Sequence, residues 1–106
     1  MGPLFLVLHL AISNVNAVDG NGMYEMCGTD RFGCFMYIFG YIDGAHQYGR
    51  EFCFPSTTEP EQLRKVIWHY LNTHPSDRDQ PAGALIRIAI DDAWPCEGDD
   101  NNWNKE

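Results

Sequence analysis

The 106-residue sequence predicts an all-α fold, a small disulfide-bonded bundle of about four helices. Three observations lead there. Apolar residues recur at helical rather than alternating spacing in the second half of the chain. Proline, glycine and capping residues fall where those stretches begin and end. The four cysteines lie at helix ends, where bridges would clamp a bundle too small to rely on its core alone.

The organising stretch runs from Phe52-Cys53-Phe54-Pro55 to Trp94-Pro95-Cys96. Two helical runs lie between, joined by residues 74–80. If they are antiparallel, Cys53 and Cys96 meet at one end of the hairpin. A bridge there closes a loop of about forty residues and stabilises by roughly 4 kcal/mol in the chain-entropy model.

In chain order, residues 4–12 are apolar apart from His9. The run is too short to span a bilayer. Val15 and Ala17 suit the −3 and −1 positions of a signal-peptidase site, so residues 1–17 read as a signal peptide, although no Lys or Arg precedes the apolar run. Residues 18–96 form one domain. Residues 97–106 have the Asn/Asp-rich composition of an acidic, disordered tail. An even cysteine count in an exported chain points to two disulfides.

Residues 21–27 make a weak first helix with Met23, Met26 and Cys27 on one face, and 28–33 a turn. Residues 34 to about 48 make the second helix, with apolar positions 34, 35, 38, 41, 42 and 45 in helical register. Its length outweighs the strand preference of Phe, Tyr and Ile. Gly40 and Gly44, one turn apart, would let another backbone approach closely. Asp43, in this apolar setting, is expected to hydrogen-bond a neighbouring helix end or a tyrosine.

The third helix starts at a capping box of Thr58 and Glu61 with Pro60 in the first turn. Leu63, Val66, Ile67, Tyr70 and Leu71 form its core stripe, and His74-Pro75 ends it. Its other face carries Glu61, Arg64, Lys65, Trp68 and Asn72. Trp68 is out of place there. It either packs on the first helix or the tail, or anchors a partner. The fourth helix takes Asp79 or Gln80 as N-cap and Pro81 at N1, and runs to Trp94. Ala82, Leu85, Ile86, Ala89 and Ala93 form one stripe, widened by Ala84, Ile88 and Ile90, so it is covered on most sides. Helices alternating in direction bring Cys27 to Cys34 and Cys53 to Cys96, and these two pairs are the expected disulfides.

The formal charge of −8 disfavours nucleic acid and anionic membranes and favours a basic protein partner. Cysteines paired in disulfides leave no free thiol for a Cys–His mechanism. The adjacent carboxylates Asp91-Asp92 and Asp99-Asp100 do not face each other as glycoside hydrolysis requires. No phosphate loop or dinucleotide fingerprint occurs, and the cysteine and histidine spacings offer no zinc site. The chain reads as a non-enzymatic binding protein without metal or cofactor.

One ordered set of residues carries a resemblance. Cys27…Cys34-x-x-Tyr37-x-x-Gly40-x-x-Asp43 is followed by Phe52-Cys53-x-Pro55, then by Gln62-Leu63…Val66…Tyr70-Leu71-x-x-His74-Pro75. Pro81-Ala82…Ala89…Trp94-Pro95-Cys96 completes it. In this order and spacing the chain resembles the Rap/Tai family, immunity proteins against cell-wall amidase toxins delivered by the bacterial type VI secretion system. It departs in its charge-free leader, in Trp94 where phenylalanine is expected, and in its acidic tail. The resemblance implies a periplasmic helical protein, often a homodimer, that plugs the substrate groove of a peptidoglycan amidase. The residues themselves suggest the partner surface: Glu61, Arg64, Lys65 and Trp68 of the third helix with His74, Ser76, Asp77 and Arg78 of the next loop. The rival reading is a general periplasmic stress chaperone or structural factor, and a more distant one a small hydrolase.

Overall fold

The computed structural model describes residues 17–97. The signal peptide and the acidic tail expected from the sequence lie outside these residues, apart from their innermost positions. Four α-helices follow one another: α1 (Gly20–Thr29), α2 (Arg31–Gln47), α3 (Pro60–Thr73) and α4 (Ala82–Ala93), with a 3₁₀ turn at Pro75–Asp77. No strand occurs among the described residues; a lone bridge joins Asp19 to Pro81. The all-α bundle stands.

Helix α1 is longer than its weak periodicity suggests because polar caps hold both ends. Asp19 accepts the Gly22 N–H at 3.0 Å. The expected turn over 28–33 shrinks to Asp30, whose N–H donates to the Met26 carbonyl at 2.7 Å. The same residue opens α2, its carboxylate accepting the Gly33 N–H at 3.0 Å. One aspartate thus caps two helices. Cys27–Cys34 spans this corner with its Cα atoms 4.8 Å apart.

The capping box of α3 sits one residue later than expected. Glu59 is the N-cap, and its N–H donates to Gln62 Oε1 at 3.0 Å. Pro60 fixes the register, since proline is best accommodated at N1. The Thr58 N–H turns back to the Pro55 carbonyl at 3.0 Å. Helix α4 also starts one residue late. Pro81 is extended, with ψ at 140°, rather than the first helical residue. The reason is a short pairing with the segment before α1: Gly20 N–H reaches the Gln80 carbonyl at 2.9 Å and Ala82 N–H the Val18 carbonyl at 3.0 Å.

The core is a single cluster. Met23 and Cys27 from α1, Cys34 and Ile38 from α2, Leu63, Ile67 and Leu71 from α3, and Ala82, Leu85, Ile86, Ala89 and Ile90 from α4 are all buried. Ile90 takes the core place expected of Ala93, which is exposed. Around the edge, Cys53–Cys96 closes the α3–α4 hairpin with Cα atoms 5.2 Å apart. Both disulfide pairs are those the helix directions require.

Candidate functional site

The residues proposed as a partner surface fall on two flanks of α3. Positions 64 and 68 lie one turn apart and point toward α1, whereas 65 and 69 are rotated by about 100° toward α4. On the α1 flank Tyr24 is the hub. Its ring stacks on Trp68 with centroids 5.4 Å apart and planes 11° from parallel. The Arg78 guanidinium lies over the same ring, 4.0 Å from its centroid. Its hydroxyl donates to Asn72 Oδ1 at 2.8 Å. Trp68 is therefore half-buried and packs on the first helix, the first of the alternatives open to it.

Below the indole, Arg64 donates to the Cys27 carbonyl at 2.8 Å and to both Glu61 oxygens, at 3.0 and 2.6 Å. Arg31 approaches the same carboxylate at 3.9 Å. The Arg64 hydrogen bond is the main cause that holds the Glu61 carboxyl below its ordinary value. The Glu61 oxygens in turn raise the Arg64 guanidinium. Arg78 secures the loop, donating from Nη1 to the Leu71 carbonyl at 3.3 Å, while its own carbonyl accepts the Asn21 N–H at 2.9 Å.

On the other flank, exposed Lys65 and His74 line a depression of about 370 Å³ between α3 and α4, together with Tyr70 and Asp92. His74 stacks on Tyr70 with centroids 3.9 Å apart. Burial pushes the Tyr70 hydroxyl up, with the carboxylates of Asp77 and Asp92 adding to the effect. Ser76 is exposed and Asp77 half-buried at the loop tip. Of the eight residues, Glu61, Arg64, Trp68 and Arg78 gather on one side and Lys65 and His74 on the other, with Ser76 and Asp77 at the loop tip.

A second surface was not anticipated from the sequence. Between α2 and the irregular segment 48–59 runs an open groove of about 800 Å³, lined by Met36, Phe39, Asp43, Phe52, Phe54 and Leu63 among others. Its outer wall is held by side chains. Phe52 packs on Tyr41 with centroids 6.1 Å apart, and Phe54 meets Trp94 edge-on at 5.9 Å. Arg50 lies 5.0 Å over the Phe52 ring and pairs with Asp91. Asp43 is exposed at the groove and, among the described residues, its carboxylate is hydrogen-bonded neither to a neighbouring helix end nor to a tyrosine, because the groove leaves it open to water. Gly40 and Gly44 likewise have nothing near them: a Cβ at either would meet no atom within 4 Å. The signal that could have found this face is that α2 is apolar all round, with Phe32, Met36 and Phe39 lying off its core stripe.

Among the described residues no group of three His, Cys, Asp or Glu side chains converges to hold a metal ion, and no helix is long and apolar enough to cross a membrane. Two disulfides bracketing a four-helix bundle are the features that the sequence pattern pairs with a known family. A family model, Rap1a immunity proteins, matches residues 19–96. The chain belongs to the Rap1a immunity protein family. Neither a curated protein nor a solved structure matches it. As a Rap1a protein it is an immunity protein whose partner is a secreted toxin. Such proteins act in general by binding rather than by catalysis. Both disulfides fit an oxidising compartment.

Proposed function

We propose that this protein binds and inhibits a peptidoglycan amidase toxin of the type VI secretion system, occluding the substrate groove of the enzyme. The observation that carries the reading is the family match across residues 19–96, joined to the ordered Cys, Pro and His-Pro motifs. In this reading residues 1–17 export the chain, the mature protein works in the periplasm as a homodimer, and it contributes no catalytic group. The toxin-facing surface is the outer side of α3 with the loop after it. Glu61, Arg64, Trp68 and Arg78 offer a rigid, stacked flank. Lys65, His74 and Ser76 add exposed polar groups around it, with the half-buried Asp77 beside them. Rigid aromatic and arginine groups are what interface anchors are commonly made of.

The test is a titration of the oxidised protein against candidate amidases, read by calorimetry and by residual peptidoglycan cleavage. One amidase held at about nanomolar affinity (some 12 kcal/mol) and silenced at a fixed stoichiometry is the expected result. The chaperone alternative has one observation in its favour, the exposed apolar side of α2, with Phe32 73% and Met36 53% exposed. It predicts weak binding to many unfolded clients and no inhibited amidase.

A further inference from the structure

We infer that the outward side of α2 is the surface on which a second copy of this chain docks, the two helices crossing at Gly40 and Gly44. The inference rests on the homodimer proposed above and assigns the face that makes it.

Phe32, Met36, Gly40, Gly44 and Tyr48 succeed one another at intervals of four residues. Residues at this interval form one continuous ridge on a helix, and ridges of this kind interlock when two helices cross at about 50°. The large members all stand in solvent: Phe32 is 73%, Met36 53% and Tyr48 92% exposed. The middle of the ridge is bare backbone, with open space where either glycine would carry a side chain. The ridge is therefore high at its ends and notched at its centre.

That profile fits itself. A two-fold interface presents the same patch from both sides. An antiparallel crossing at the notch sets Gly40 opposite the partner's Gly44, and Met36 opposite the partner's Tyr48. Nothing in the single chain requires the notch. Each glycine inside a helix costs about 1 kcal/mol relative to alanine, and neither makes a close contact within the fold that would offset it. Small residues at a crossing let two backbones come together and pack large neighbours around them.

Charge selects the same occupant. The molecule carries −8 overall, so two copies repel across most of their surfaces. Between Phe32 and Tyr48 the only Asp, Glu, Lys or Arg is Asp43. This is the side on which like copies meet at least cost. A basic toxin would find its electrostatic complement elsewhere.

The test is sedimentation equilibrium of the oxidised protein and of two variants, Gly44→Leu and Met36→Glu. The leucine fills open space in the single chain and is a better helix former, so the unfolding midpoint should hold or rise. The notch is blocked, and the dimer dissociation constant should increase at least about tenfold. Met36→Glu should weaken the dimer comparably by burying a carboxylate. A dimer whose constant is unchanged in both variants would overturn the α2 assignment and leave the homodimer standing on another face. A wild-type protein that is monomeric at about 100 μM, a weak-affinity concentration, would overturn both. If deleting residues 98–106 from such a monomer lowers amide protection along α2, the carboxy-terminal segment is the occupant. If Gly44→Leu keeps the dimer but loses the amidase, the toxin is.

Discussion

Trp68 is where stability and recognition compete for one side chain. Its ring is stacked on Tyr24 and half-buried, so Trp68→Ala should lower unfolding free energy by about 1–3 kcal/mol. Trp68→Phe keeps the stacking and removes an indole N–H that is buried without an acceptor among the described residues. It should cost under about 1 kcal/mol. Chemical denaturation of both variants beside toxin titration separates the two roles: a phenylalanine variant that is stable but binds poorly marks the indole as an anchor. Glu61 has a pH signature. Its carboxyl sits below its ordinary value chiefly because Arg64 hydrogen-bonds it. The stability it adds is therefore fully present above the ordinary glutamate range and is lost as pH falls through its folded value. Melting curves of wild type and Glu61→Gln should differ near neutrality and converge in acid; a gap that persists in acid would remove the ion pair as its cause. That Trp68 was out of place could be read from α3 periodicity alone. The first helix was one of two packing sites open to it, but the residue it stacks on could not be read, because Tyr24 lies forty-odd residues away on a helix with weak periodicity.

At the scale of elements, helix ends were more legible than helix faces. The Cys27–Cys34 and Cys53–Cys96 pairs follow from alternating helix directions, and the core stripe of α3 from its spacing. Capping slipped by one residue at Pro60 and again at Pro81, because a proline reports a helix start without saying on which side of it the first turn begins. The second of these slips is tertiary in origin. Pro81 is drawn into extended pairing with Asp19, a contact between segments distant in sequence. Gly20 in that pairing has no room for a side chain, since a Cβ would stand 2.7 Å from Arg78 Cα and 2.5 Å from Leu85 Cδ1. Gly20→Ala should therefore cost about 1–3 kcal/mol, measurable by denaturation; a neutral effect would mean the 74–80 loop yields readily. The outward side of α2 was harder to read for another reason. Periodicity locates the apolar side of a helix, and α2 is apolar on more than one. Loop length orders the two bridges. Closing the chain across 43 residues removes more unfolded-state entropy than closing it across 7, roughly 4 against 2.5 kcal/mol. Cys53→Ser with Cys96→Ser should destabilise more than Cys27→Ser with Cys34→Ser in the same denaturant series. The reverse order would show that burial of Cys27 and Cys34, both in the core, outweighs loop entropy.

At the scale of the whole molecule, the described surfaces divide the work expected of an immunity protein. The bundle needs its interior for stability, and one rigid flank, stacked from Arg78 through Tyr24 to Trp68, lies outside it. The net charge of −8 then bears on rate more than on final affinity. A basic enzyme approaching an acidic partner is steered, and the steering is screened once the Debye length falls to a few ångströms. The association rate constant with the cognate toxin, followed by stopped-flow fluorescence, should therefore fall about tenfold between 0.05 and 0.5 M salt. The dissociation rate should change far less, because packed aromatic contacts that exclude water are little affected by ions. Binding that is equally fast at both salt concentrations would mean that the acidic surface serves solubility alone, and that recognition rests on shape. Weak, salt-insensitive capture of many unfolded chains would instead point to the exposed apolar side of α2 as the working surface and to a chaperone.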